Sequence, residues 1–66
     1  MPNSKSSREI IDALRKAGWV LDSTAGDHHH FKHPNLPGKV TVPHPVKDVD
    51  VFVVKNIEKQ SGTKIR

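Results

Sequence analysis

Four of the five histidines in this 66-residue chain fall between positions 28 and 33: His28, His29, His30 and His33. Imidazole has three uses in proteins, because it binds metal ions, transfers protons near neutral pH, or serves as a polar ring within a strand. The chain has no cysteine, so a metal would have only histidine and carboxylate ligands. The other residues of the sequence must be used to distinguish among these three uses.

The histidine segment is predicted to form a strand, and the alternation of a strand divides the histidines between two faces. Phe31 is the one large apolar residue of the segment and therefore marks the core side. The residues of the same parity are expected to be structural, whereas those of the opposite parity face an open side. The first group is His29 and His33, and the second is His28, His30 and Lys32.

The following strand extends this open side. Val40 and Val42 are predicted to point inward, which places Lys39 and Thr41 outward. The open face then combines two imidazoles, two ammonium groups and a hydroxyl. Lysine neutralises phosphate, threonine hydrogen-bonds to it and imidazole exchanges a proton, so this face suits RNA phosphate and ribose.

A metal site is the weaker interpretation of the same residues. His28 and His30 share a face, but zinc takes three or four ligands, and His44 or Asp27 would have to complete the set. Neither spacing matches a metal motif, so we expect no metal and no cofactor. His44, between two prolines, either locks its loop or acts as a second proton carrier.

Helix and turn signals surround the strands. Residues 6–9, with the sequence SSRE, have capping-box spacing, and Gly18 is placed to end the helix that follows. Asp48 or Asp50 can cap a second helix, although the β-propensity of residues 51–54 competes with it. The predicted elements are a helix over 7–17, strands over 19–22, 28–33 and 39–42 separated by turns over 23–27 and 34–38, and a helix ending at Gly62.

The predicted order is α-β-β-β-α, an α+β fold. A three-stranded antiparallel sheet with both helices on one face buries such a set of elements, and residues 1–66 are expected to form a single domain. No apolar run resembles a signal peptide or a membrane span, and the lack of cysteine is usual in a reducing compartment. We therefore expect a soluble protein of the cytoplasm.

The chain is basic, with a formal charge of +4 and a pI near 9.8. This excess is compatible with a polyanionic partner but does not by itself identify one. The residues alone favour a non-catalytic RNA-binding module, and a purely protein-binding module is a third class. That third class predicts no salt-dependent affinity for RNA.

Four segments of the chain carry a resemblance to a known family. Residues 14–19, 26–34, 40–45 and 57–62 read LRKAGW, GDHHHFKHP, VTVPHP and IEKQSG. In this order they resemble the HicA family of toxins from toxin–antitoxin systems, over nearly the whole chain. The resemblance implies a fold like a double-stranded-RNA-binding domain, mRNA interferase activity, and a HicB-like antitoxin as partner.

The resemblance also assigns particular residues. The family's G-S-H-H pattern falls on positions 26–29, so Gly26 and Asp27 form the turn and His28 takes the place of the catalytic histidine. Asp27 replaces the usual serine, which is compatible with a turn. Phe52-Val53 stands where Gly-Thr commonly opens the last helix, which alters the helix start or adds apolar surface for the antitoxin.

These observations lead to a hypothesis for the reaction. His28 acts as general base on an RNA 2′-hydroxyl without metal, Lys32 and Lys39 stabilise the phosphorane, and His30 or water supplies the proton. Thr41 assists RNA binding. The antitoxin is expected to cover the His28 face, and direct DNA binding by this chain is not expected.

Overall fold

The computed structural model describes residues 5–65 and confirms the predicted α+β fold, with the order α-β-β-β-α. The three strands form one antiparallel sheet, in which each strand pairs with the next one along the chain. The prediction of no signal peptide rests partly on residues 1–4, which lie outside the described part. The elements are α1 (Ser7–Lys16), β1 (Val20–Ala25), β2 (His28–His33), β3 (Leu36–Pro43) and α2 (Val51–Ser61).

Both helices begin and end at the residues that the sequence marks. The Ser6 hydroxyl accepts a hydrogen bond from the Glu9 amide and the Glu9 carboxylate accepts one from the Ser6 amide, which completes the capping box at the start of α1. Asp50, rather than Asp48, caps α2 by accepting from the Phe52 amide at 2.8 Å. Gly62 ends α2 with a φ of 67°.

Two strands are longer than predicted. β1 continues to Ala25 and β3 begins at Leu36, so each connecting turn contracts to two residues, 26–27 and 34–35. Ser23 and Thr24, predicted as turn residues, pair with β2 instead. Cross-strand hydrogen bonding to a neighbouring strand outweighs their local turn propensity.

Irregular pairing explains how β3 accommodates turn-forming residues. Lys32 pairs with Lys39 and the next residue, His33, pairs with Leu36, so Pro37 and Gly38 have no direct partner on β2. Proline without an amide hydrogen and glycine with a φ of 80° are both tolerated at such a bulge. Pro37 and Gly38, which were predicted to belong to a turn, therefore lie at a bulge inside β3.

The core lies between the sheet and both helices. Phe31, Val40 and Val42 of the sheet belong to one buried cluster with side chains from each helix, so α1 and α2 cover the same face. Both helices pack against β3, whereas every residue of β1 is exposed. The buried apolar residues are Ile10, Leu14, Trp19, Phe31, Val40, Val42, Val49, Val54 and Ile57.

Over residues 5–65, neither helix is long and apolar enough to cross a bilayer.

Candidate catalytic face

The face of the sheet away from the helices carries the five side chains that the sequence predicts to lie together. Phe31 and Val40 pair directly and are both buried. Their neighbours in each strand therefore point to the opposite side. We call this side the open face; its predicted site residues are His28, His30, Lys32, Lys39 and Thr41.

His30 and Thr41 form a directly opposed pair on the open face. The Thr41 hydroxyl lies 2.8 Å from His30 Nδ1, which fixes the orientation of the imidazole. Within the described range His30 Nε2 has no hydrogen-bond partner. A ring held at one nitrogen and free at the other is suited to proton transfer with a bound substrate.

Lys32 and Lys39 share a carboxylate that the sequence analysis did not assign to the site. Asp22 lies 3.4 Å from the Lys32 ammonium and 3.1 Å from that of Lys39. Hydrogen bonds from Lys39 and then Lys32 lower the pKa of Asp22 below its usual value. The two cations are thereby held close together on the open face, with one of their charges balanced.

Strand alternation places Asp22 on the open face, because Leu21 pairs with the buried Phe31 and the residue after Leu21 points to the opposite side. Leu21 pairs with Phe31 and Ser23 pairs with His30, which leaves Asp22 as the extra residue between them. Asp22 is therefore a β-bulge residue on the open side of β1. The alternation of residues 19–22 predicts the side of the strand on which Asp22 lies, but its contact with Lys39 depends on the order of the strands in the sheet.

His28 lies at the end of the open face beside the two-residue turn. It pairs with Ala25 on one side and Pro43 on the other, and it is exposed. Its imidazole makes no hydrogen bond to any residue from 5 to 65. Gly26 has a φ of 58°, which glycine adopts readily, so the turn before His28 has the geometry expected of positions 26 and 27.

His33 has a structural environment on the helix side of the sheet. Its Nε2 donates to the Ala17 carbonyl at 2.9 Å, and its Nδ1 accepts from the Asn35 amide at 3.0 Å. The ring also meets Trp19 edge to face at 5.3 Å between centroids. Both ring nitrogens are thus used to join the end of α1 to the turn after β2.

His29 and His44 form a second helix-side group. Their rings meet edge to face at 4.9 Å, and the Ser7 hydroxyl lies 2.6 Å from His44 Nδ1. The same hydroxyl donates to the Val46 carbonyl and accepts from the Val46 amide. Of the two roles left open for His44, this arrangement supports the one that locks its loop against α1.

The described residues include no group of three or more histidine, aspartate or glutamate side chains that could hold a metal ion. His44, one of the two side chains named as a third ligand, packs against His29 and Ser7 on the helix side. It is therefore separated from His28 and His30, which lie on the open face.

A comparison with protein families gives one match. The family model described as "HicA toxin of bacterial toxin-antitoxin" matches residues 7–63, which include both helices and all three strands. No curated protein matches the chain.

Proposed function

The chain belongs to the HicA toxin family of bacterial toxin–antitoxin systems, and on this premise we propose that it is a metal-independent endoribonuclease that cleaves messenger RNA with His28 as general base. The observation that carries the proposal is an exposed imidazole without a protein hydrogen bond, on the same face as two ammonium groups. In the cell, such cleavage in the cytoplasm would inhibit translation.

The reaction uses the nucleophile that RNA itself provides. His28 removes the proton from a ribose 2′-hydroxyl, and the oxygen attacks the adjacent phosphorus. The bond from phosphorus to the 5′-oxygen then breaks, which leaves a 2′,3′-cyclic phosphate on one fragment and a 5′-hydroxyl on the other. No protein nucleophile is required, and DNA, which lacks the 2′-hydroxyl, is not a substrate.

The other residues of the open face have supporting roles in this mechanism. Lys32 and Lys39, held together by Asp22, stabilise the negative charge that develops on the phosphorane. His30, oriented by Thr41, is the candidate donor of a proton to the leaving 5′-oxygen.

A HicB-like antitoxin is the proposed protein partner. It would inhibit the toxin by covering the His28 face, and its contact surface would be acidic or rich in hydrogen-bond acceptors to match Lys32 and Lys39. Phe52, 70% exposed on α2, belongs to the helix side of the sheet, so it would add an apolar contact only to an antitoxin that also reaches this side. A complex in which His28 and Lys32 stay exposed to solvent would contradict this mode of inhibition.

The test compares the wild-type protein with His28→Ala on one RNA in the presence of EDTA. We expect cleavage to fall by a factor of about 10² to 10⁴, the usual contribution of a general base, with RNA affinity little changed. A substrate with a single 2′-deoxyribose at the cleaved position should survive with the wild-type protein.

Either of two results would overturn the proposal. If the 2′-deoxy substrate is cut as fast as RNA, the mechanism is wrong. If both proteins bind RNA and neither produces fragments, the chain is a non-catalytic RNA-binding module. Circular dichroism of His28→Ala shows whether the variant folds, and this exposed side chain makes no protein hydrogen bond that folding would lose.

A further inference from the structure

A second basic region lies on α1, outside the open face. Arg8, Asp12 and Arg15 follow one another at helical spacing on one side of the helix. Together with Ile11 and His44 they line a groove between α1 and the end of β3. Ile11 packs against the core and forms an apolar part of this groove.

The two arginines of the groove are available to an anion. Within the described residues neither guanidinium lies within 4 Å of a carboxylate, whereas Lys32 and Lys39 both contact Asp22. Two guanidinium groups and one carboxylate leave the groove with a net positive charge. Guanidinium binds phosphate through two parallel hydrogen bonds, which makes arginine well suited to nucleic-acid backbone.

His44 gives the groove a fixed wall. Ser7, 1% exposed, holds His44 Nδ1 at 2.6 Å and is itself bonded to the amide and carbonyl of Val46. The loop after β3 is therefore tied to the first turn of α1. The position of the ring relative to Arg8 follows from this attachment, so the groove exists before any ligand binds.

The groove and His28 lie at the same end of the sheet. The His44 amide donates to the Asp27 carbonyl at 2.7 Å, and His28 pairs with Pro43, the residue before His44. An RNA strand that passes His28 on the open face would reach the groove by crossing this end of the sheet at Pro43.

From this arrangement we infer that the groove lined by Arg8 and Arg15 binds backbone phosphates of single-stranded RNA, one at each arginine, next to the segment that is cleaved at His28. The inference rests on the proposed function in taking RNA as the substrate. Asp12 lies between the two arginines and opposes the phosphates, which limits the affinity of the groove.

The test measures the affinity of variants for a single-stranded RNA that is fully 2′-O-methylated and so has no nucleophile for cleavage. Arg8→Gln and Arg15→Gln should each bind about five-fold more weakly at 0.1 M salt, with the salt slope reduced by about 0.7, the value for one phosphate contact on a single strand. Asp12→Asn should bind more tightly, because it removes the opposing charge.

Lys16→Gln is the matched control, since it removes the same charge from the same helix one position after Arg15 but does not line the groove. We expect it to change affinity less than two-fold. Equal losses for Arg15→Gln and Lys16→Gln, or weaker binding by Asp12→Asn, would overturn the inference.

The design separates this inference from the proposed function. If the wild-type protein cleaves unmodified RNA and all groove variants bind RNA with the same affinity, the ribonuclease proposal is supported and phosphate binding by the groove is excluded. If the arginine variants bind RNA more weakly and Asp12→Asn binds it more tightly, but no cleavage occurs, phosphate binding by the groove is supported and the catalytic role of His28 is excluded.

Discussion

The histidines of this protein divide into an open-face pair and a helix-side group that differ in environment rather than in residue type. His28 and His30 face outward, and each has an accessible ring nitrogen without a protein hydrogen bond among the described residues, whereas the unpartnered Nδ1 of His29 is buried. His29, His33 and His44 pack against other rings, and two of them bond to the backbone or side chain of α1 or its cap.

The difference follows from strand alternation at consecutive positions. His29 and His30 are neighbours in sequence, yet one packs on His44 and the other meets Thr41 on the opposite side. The histidine segment therefore contains two sets of side chains that face opposite sides of the sheet. A single role assigned to the whole segment would be wrong for one of these sets. Substitutions at adjacent positions test this division directly.

The largest effect within this comparison is expected from His30→Ala set against His29→Ala. If His30 donates the proton to the leaving oxygen, its loss should slow RNA cleavage about 100-fold, the lower end of general acid–base contributions. His29→Ala should leave the rate per folded molecule unchanged, because its ring faces the helices. Cleavage rates on one RNA, with folded fractions from circular dichroism, check both.

A His30→Ala variant that retains most of its activity would assign the proton donor to water. If folded His29→Ala loses as much of the RNA cleavage rate as His30→Ala does, the proposed difference in role between the two faces is wrong. Thr41→Val provides a further control, since it keeps the His30 ring but removes the hydroxyl that orients it.

The next effect is on stability, and it concerns the structural role of His33. Gly18 has a φ of 98°, and a Cβ there would lie 2.6 Å from His33 Nε2. Gly18→Ala should lower the free energy of unfolding by about 2 kcal/mol, through left-handed backbone strain and a clash with the ring. Urea unfolding measures the change.

Gly26→Ala is the matched control, because its φ is also positive, at 58°, but no atom lies within 4 Å of the added Cβ. It should cost about 1 kcal/mol, from backbone strain alone. Equal losses at both glycines would show that His33 moves aside freely and is not fixed by its two hydrogen bonds.

How much of this site is predictable depends on the range of the interactions. Phe31, with Val40 and Val42, was sufficient to predict which histidines face outward, because strand alternation and burial are local properties of the sequence. The capping residues Ser6 and Asp50 likewise mark their helices through contacts within three residues.

The contacts that were missed join distant or irregular positions. Asp22 and Lys39 lie on strands that do not pair with each other, so their contact depends on the order of the strands in the sheet. The contact of Ser7 with His44 spans 37 positions, so no local pattern predicts it. Similarly, pairing with β2 overrides the turn propensity of Ser23 and Thr24.

Asp22 supports a smaller prediction about the open face. Its carboxylate competes with an RNA phosphate for Lys32 and Lys39, so Asp22→Asn should bind 2′-O-methyl RNA about two- to five-fold more tightly at low salt. Fluorescence anisotropy measures the affinity, and the gain should shrink as salt rises. Weaker binding would show instead that Asp22 is needed to hold the two lysines in position.

The smallest effect is the contribution of Asp22 to stability at acid pH. Hydrogen bonds from Lys39 and Lys32 lower its pKa in the folded protein below the usual 3.8, so the unfolded chain takes up the proton first. This stabilisation is present above pH 3.8 and is lost as the pH falls through the lowered pKa. It is small, because both lysine side chains are mostly exposed.

Comparison with Asp22→Asn isolates this contribution. The pKa of Glu9 is also lowered, chiefly by the Ser6 amide, so the acid unfolding curve of the wild-type protein contains both groups. Asp22→Asn removes only one of them, and its deficit in stability relative to wild type should disappear as the pH falls from 6 to 2. A deficit that stays constant with pH would mean that the substitution acts through the bulge in β1 rather than through charge.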